Sequence, residues 1–299
     1  MTSQPATRRR VTRDRVENGT FRVLRWLVIA ALLISTVFPF YYMGLLSFRN
    51  LGSVLNDPGS LFISIGQFSL DAYRRVIVPV ASGGEGFLGF VRNSALLAIG
   101  TVVITLAITI PGSYAVSRLR FFGRRQVSAL FLAVYLFPSI LLAVPLYVFF
   151  SKIGLRDSLV AVLLVYVAQT VAVSIYMLRN YFQTIPVSLE EAGALDGLGR
   201  FGIMWRISMP LAAPAIVANG LFVFMTAWNE FLFALLFLVD DRDKWTVSLG
   251  LSELTGNSIE IPTTVLMAAA VITTVPIIII FFASERLLTE GLTSGAEKG

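Results

Sequence analysis

The 299-residue chain contains no cysteine and no histidine. Disulfides, thiolate nucleophiles, zinc sites of the ordinary kind and imidazole acid–base chemistry are therefore excluded. Charge is also scarce, with Asp, Glu, Lys and Arg together making up 14% of residues. The lysines are Lys152, Lys244 and Lys298, and none follows a glycine. No phosphate-cradling Walker A loop exists, so ATP hydrolysis by this chain is excluded. No cluster of catalytic or metal-ligating side chains stands out, and no bound cofactor is expected.

Apolar residues are what the chain has in excess, at 56% with a mean hydropathy of +0.77. A water-soluble core cannot absorb that much apolar surface, so the expected solvent is a bilayer. Six charge-free runs exceed 20 residues: Trp26–Phe48, Asn93–Ser117, Gln126–Ser151, Ser158–Leu178, Ile207–Asn229 and Ile261–Ser284. About 20 residues of helix cross the roughly 30 Å of hydrocarbon. The expectation is an all-α integral membrane protein with six transmembrane helices at about 26–48, 93–117, 127–151, 158–178, 207–239 and 261–284. The first run lies too far from the start, is too long and lacks a small-residue cleavage site, so it reads as a retained span rather than a signal peptide.

Orientation follows from basic residues. Sixteen Lys and Arg fall before Trp26, in the 118–125 and 179–206 connectors and after Ser284, against eight in the three opposite connectors. By the positive-inside rule both termini and the 179–206 connector are cytoplasmic. The N-terminal tail, residues 1–21, is Arg-rich without apolar periodicity and reads as a mobile segment attracted to anionic lipid. Nucleic acid is not an expected partner despite the net charge of +6.

In the outer segment 49–92, FSLDAYRRVIV between two Gly-containing loops predicts a short surface helix. Thr101, Thr105, Thr109, Ser113 and Ser117 repeat every four residues along one side of span two. Such a stripe serves close helix packing or lines a polar solute's path, with packing the more frequent use. Pro39, Pro111, Pro138, Pro145 and Pro276 fall inside spans and should kink them. Span four carries Gln169, Thr170 and Ser174. Span five is longer than one crossing and contains Trp228, Asn229 and Glu230. An acidic group within an apolar stretch faces a cavity or a partner. Two readings stand side by side: the three residues lie on a solute route with Thr105, Thr109 and Gln169, or Glu230 ties a re-entrant turn together through backbone N–H groups.

The connector between spans four and five, VSLEEAGALDGLGRFGIMWRISMP, has its own helix signals. Ser188 and Glu191 fit a capping box, Gly197 and Gly199 suit a helix end, and Pro186 and Pro210 flank the segment. A rigid helix standing outside the lipid is a lever on which another protein can push.

At Glu191 the pattern E-A-G-A-L-D-G, nine residues, then I-S-M-P resembles the EAA signature of membrane subunits of bacterial ABC importers. Glu191, Ala192, Asp196, Gly197, Ile207 and Pro210 match, with Gly193 in place of Ala and Met209 in place of Leu. Asn93-Ser94, SYAVSRLRFFGRR, Phe137-Pro138, WNEFLFAL and the ending GLTSGAEKG resemble the second, six-span permease of maltose-type carbohydrate importers, with Glu297 departing from the usual apolar residue. The resemblance covers nearly the whole chain after the tail. It implies the type I ABC importer permease fold in a bacterial or archaeal cell membrane. It also implies a coupling helix at about 188–199, using Ser188, Glu190, Glu191, Ala192, Gly193, Asp196, Gly197, Ile207 and Pro210 against ATPase subunits. The tail 291–299, through Gly295, Lys298 and Gly299, would reach between those subunits. The implied partners are a second permease, two ATP-binding subunits carrying ATP and Mg, an extracytoplasmic solute-binding protein, and a sugar. An ion-coupled secondary transporter is the alternative; a membrane enzyme or a channel fits less well, lacking catalytic clusters or a selectivity filter.

Overall fold

A computed structural model describes residues 7–256 and 261–296. Apart from one antiparallel bridge between Arg49 and Phe68, regular structure among the described residues is helical. Helix α1 spans Thr7–Ser47. Residues 7–21 therefore continue a helix rather than forming the separate tail expected from the sequence. Once an apolar helix is nucleated, each further residue adds a hydrogen bond, and an Arg- and Glu-containing stretch without proline carries it on. Helix α1 packs chiefly along the last helix, and between Phe21 and Tyr41 its apolar side chains are exposed, whereas Leu45 and Leu46 are buried.

Two small helices, α2 (Leu51–Asn56) and α3 (Asp71–Ile77), follow, the latter in the segment where a surface helix was predicted. The Tyr41 and Tyr42 hydroxyls donate to the carbonyls of Leu61 and Pro58 and hold this segment to the end of α1. Buried Arg49 ties it further by donating to the carbonyls of Ser53 at 2.8 Å and Asp57 at 3.1 Å.

The centre of the bundle is the seam between α4 (Phe87–Arg118) and α7 (Leu159–Thr184). Gly100 faces Leu163 and Gly112 faces Ile175, so the two helices run in the same direction. The hydroxyl stripe lies in this seam. The hydroxyls of Thr105 and Thr170 hydrogen-bond across it at 2.9 Å, and those of Thr101, Ser113 and Ser117 donate to carbonyls of their own helix. All five stripe residues are buried.

Between these helices lie α5 (Arg124–Leu136) and α6 (Ala143–Lys152), which meet at a bend of 87°. Pro138 causes the bend: it lacks an N–H, and it holds Phe137 in the extended region at φ −75°, ψ 128°. The predicted third span is thus broken. Pro39, Pro111 and Pro276, by contrast, sit inside continuous helices.

Helix α8 (Val187–Leu195) is followed by α9 (Arg200–Ile203), a π-helical turn at Met204–Ser208, and α10 (Met209–Leu211). A 77° bend leads into α11 (Ala213–Trp228). A break precedes α12 (Leu232–Leu238), and then come α13 (Val247–Gly256) and α14 (Thr263–Ala296). The predicted fifth span, 207–239, is accordingly broken twice. Its first part belongs with the connector, because Pro210 and Pro214 flank the corner at Ala212. The helical end of α14 takes in Gly295, where a tail was expected; Glu297, Lys298 and Gly299 lie outside the described residues. Among the described residues four helices are long and apolar enough to cross a bilayer, and up to six segments are if each bent pair counts as one.

The two ends of α4 mark the two ends of the bundle. At its start, Asn93 Nδ2 donates to the carbonyls of Asp243 (2.7 Å) and Trp245 (3.0 Å), and Ser94 Oγ accepts from the N–H of Val247 at 2.9 Å. These bonds give Asn93 and Ser94 a role: they clamp the loop before α13. In the same loop, the hydrogen bond from Lys244 holds the Asp241 carboxyl below its usual range. At the other end of α4 lies helix α8, over an apolar plug formed by Ile110, Tyr114, Leu178, Phe182, Ile185, Met204 and Ala212.

Candidate functional site

Helix α8 starts without the capping box. Pro186 is the N-cap, so Ser188 lies inside the first turn, exposed, with no cap bond to its side chain. The proline ring already fixes the φ with which the chain joins the helix, which moves the start ahead of Ser188. The end is as the glycine predicts. Gly197 adopts φ +85°, Leu198 N–H donates to Gly193 O at 3.0 Å and Gly197 N–H to Ala194 O at 3.1 Å. This is a Schellman motif, which satisfies the last carbonyls of the helix. Gly199, at φ −71°, needs no special freedom.

The two glutamates of α8 point to opposite surroundings. Glu191 is exposed, with Ala192, Asp196 and the 90%-exposed Leu195 beside it. Glu190 is turned into the bundle, where its Oε1 accepts from Arg118 Nε at 2.9 Å and from Ser208 Oγ at 2.9 Å. Arg118 also donates through Nη2 to the carbonyl of Ile185 at 2.6 Å, at the end of α7. Neighbouring Arg124 caps α4, donating to the carbonyls of Val116 and Ser117 at 2.6 Å each. Positive groups at helix C-termini are favourably placed for the macrodipole. Gly193 is buried, and a Cβ there would meet Ile207 Cδ1. Ile207 thus packs down onto α8 from the π-helical turn, while Pro210 is exposed near the corner.

On the opposite flank of α7 lies a cavity of about 630 Å³, reached by Tyr135, Phe137, Ser139, Gln169, Thr170 and Thr226 among mostly apolar neighbours. Among the described residues no carboxylate and no basic side chain lines it; its polar groups are hydroxyls and one amide. Of the residues predicted for a solute route, it is Gln169 that lines the cavity. Thr105 and Thr109 are buried in the α4–α7 seam. Trp228 is a core residue, stacked on Phe224 with ring centroids 5.4 Å apart and donating from Nε1 to the Thr273 carbonyl. Asn229 closes α11 by donating from its side chain to Met225 O at 2.8 Å.

Glu230 makes backbone hydrogen bonds of the kind its second reading describes. Its carboxylate accepts from the backbone N–H of Phe233 (2.8 Å) and Ala234 (3.1 Å) and from the Tyr166 hydroxyl (2.8 Å). It therefore starts α12 and fastens the break after Trp228 to α7.

Residues 107–294 match the family described as "Binding-protein-dependent transport system inner membrane component". The chain belongs to this family. Among its relatives, the inner membrane ABC transporter permease protein YcjP of Escherichia coli is 36% identical over 91% of the chain and 94% of its own length. The trehalose/maltose transport system permease protein MalG of Thermococcus litoralis is 36% identical over 91% and 96%. The trehalose transport system permease protein SugB of Mycobacterium tuberculosis is 33% identical over 94% and 100%. A solved bacterial ABC transporter involved in import of the acidic polysaccharide alginate shares the fold, with a TM-score of 0.76 over 95% of this chain and 99% of its own at 22% identity.

The matched region of this multi-pass membrane permease contains α8, its network and the cavity. Sequence reasoning missed Arg118 and Ser208 in the network, and Tyr135, Ser139 and Thr226 in the cavity. Arg118 borders an apolar run, where a basic residue reads as a topology marker, and nothing in the sequence pairs it with the 179–206 connector. Thr226 carries no separate signal. Tyr135 and Ser139 flank Phe137-Pro138, and the proline was the available pointer to them.

Proposed function

We propose that this permease forms half of the transmembrane path of an ATP-driven sugar importer and receives its driving force through α8. The observation that carries this reading is α8 itself, a helix with a proline start and a Schellman end that presents Glu191 and Leu195 on an exposed face. Two ATP-binding subunits, holding ATP and Mg, dock there; a second permease completes the path and an extracytoplasmic binding protein delivers solute. All six apolar segments cross the cytoplasmic membrane of a bacterium or archaeon, with both termini and α8 inside, in agreement with the positive-inside bias.

The solute is a sugar, as the names of the trehalose and trehalose/maltose relatives indicate for those proteins. The cavity favours an uncharged one: hydroxyls, an amide and aromatic faces suit a polyhydroxylated ring, and no lining group would neutralise a carboxylate. The ion-coupled alternative rested on Glu230, whose carboxylate is engaged by three donors.

The test is uptake by the complete complex in proteoliposomes, with trehalose, maltose and an anionic oligouronate as probes. Uptake that requires internal ATP, prefers the neutral sugars and is lost in Glu191→Ala and Gly197→Asp supports the reading. Uptake driven by an ion gradient without ATP overturns it.

A further inference from the structure

We propose that Glu190 is a positioning residue: it pins α8 to the ends of α4 and α7, so that a push on α8 is delivered to both helices at once. The inference rests on the reading of α8 as a lever and adds how the lever is joined to the bundle.

Glu190 and Glu191 are adjacent, so their side chains leave α8 about 100° apart. One carboxylate faces outward where a partner can reach it. The other is closed in, with 11% of its side chain exposed and the same for Arg118. Glu190 therefore has no free face for docking. A single oxygen, Oε1, receives both Arg118 and Ser208, and Arg118 in turn holds the Ile185 carbonyl. Four pieces of chain meet at this point: the last turn of α4, the end of α7, the first turn of α8 and the π-helical turn leading to the corner at Ala212.

The other attachments of α8 are weaker in direction. Its two ends are a proline and a left-handed glycine, and its face rests on Ile207 through a flexible side chain. Apolar packing of this kind lets surfaces slide. A charge-assisted bond has a preferred axis and resists separation in a dry setting. A purely static joint could be filled equally well by apolar side chains, because burying an ion pair gains little net stability. What the pair adds is a fixed angle between lever and bundle.

The chain has no cysteine, so a single Ser139→Cys places one thiol in the cavity, to be read by maleimide labelling of this chain within the full complex. In that background ATP and Mg change the labelling rate. Glu190→Gln and Arg118→Gln are each expected to shrink the ATP-dependent change at least about fivefold per assembled complex, the lower range of allosteric couplings. The double variant should be no worse than the poorer single one, since both remove the same bond. An unimpaired ATP-dependent change in both single variants, or losses that multiply in the double, overturns the pin. If the charged-group variants do not assemble, Ser208→Ala decides: a reduced response supports the pin and a full one overturns it. A background in which ATP changes nothing sinks the lever reading, and the pin with it.

Discussion

Glu230 shows how one side chain can carry two plausible meanings until its neighbours are known. A carboxylate in an apolar stretch invites a transport role, yet here it starts a short helix and anchors it to Tyr166. Glu230→Gln keeps the shape and removes the charge, so its cost should be a stability loss of about 1.5–3 kcal/mol, the scale of hydrogen bonds to charged groups. Thermal unfolding of the purified complex checks this, and uptake per folded complex should stay near wild type. Gly197 makes a second prediction at this scale. At φ +85° a β-branched side chain is strained, so Gly197→Val should cost more than Gly197→Asn, by about 1–2 kcal/mol. The same thermal measurement ranks the two. Gly197 was legible in the sequence because its conformational demand is local. Arg118 and Ser208 were not, because their partner Glu190 lies 72 and 18 residues away.

At the scale of elements, the apolar runs located the helices well and their interruptions poorly. Hydropathy registers that residues 126–151 and 207–239 are apolar, but not that the backbone turns within them. The turns come from proline and from capping groups, which a hydropathy window averages away. The capping box at Ser188 failed for a related reason: Pro186, two residues earlier, had already set the chain on its helical course. The hydroxyl stripe lies where α4 and α7 run side by side, and there Thr105 pairs with Thr170. Restoring an N–H at the 87° bend should relax it. Pro138→Ala is expected to straighten α5 and α6 toward one rod and reshape the cavity. Distances between spin labels placed on the two helices would lengthen if it does. A substitution at Gly193 should be graded by size: alanine displaces only the mobile tip of Ile207, whereas leucine pries α8 off the π-helical turn and should lower ATP-driven uptake.

For the whole molecule, the distribution of basic residues makes a topological prediction. A single cysteine introduced in the 118–125 connector should react with a membrane-impermeant reagent from the cytoplasmic side alone, and one near Ser82 from the opposite side alone. Labelling of both from one side would invalidate the six-span arrangement. The helices themselves are unequal members of the bundle. Helices α4, α7, α11 and α14 close on one another, while α1 lies along α14 with its apolar side chains from Phe21 to Tyr41 uncovered, and the family match begins only at residue 107. In lipid, baring the flank of α14 would carry little penalty, because acyl chains solvate it as well as a neighbouring helix does. The first helix is thus an outrigger up to about Tyr41, and a protein shortened to begin there, which keeps buried Leu45, Leu46, Ala72 and Val76, should retain the keel on which loading and release depend.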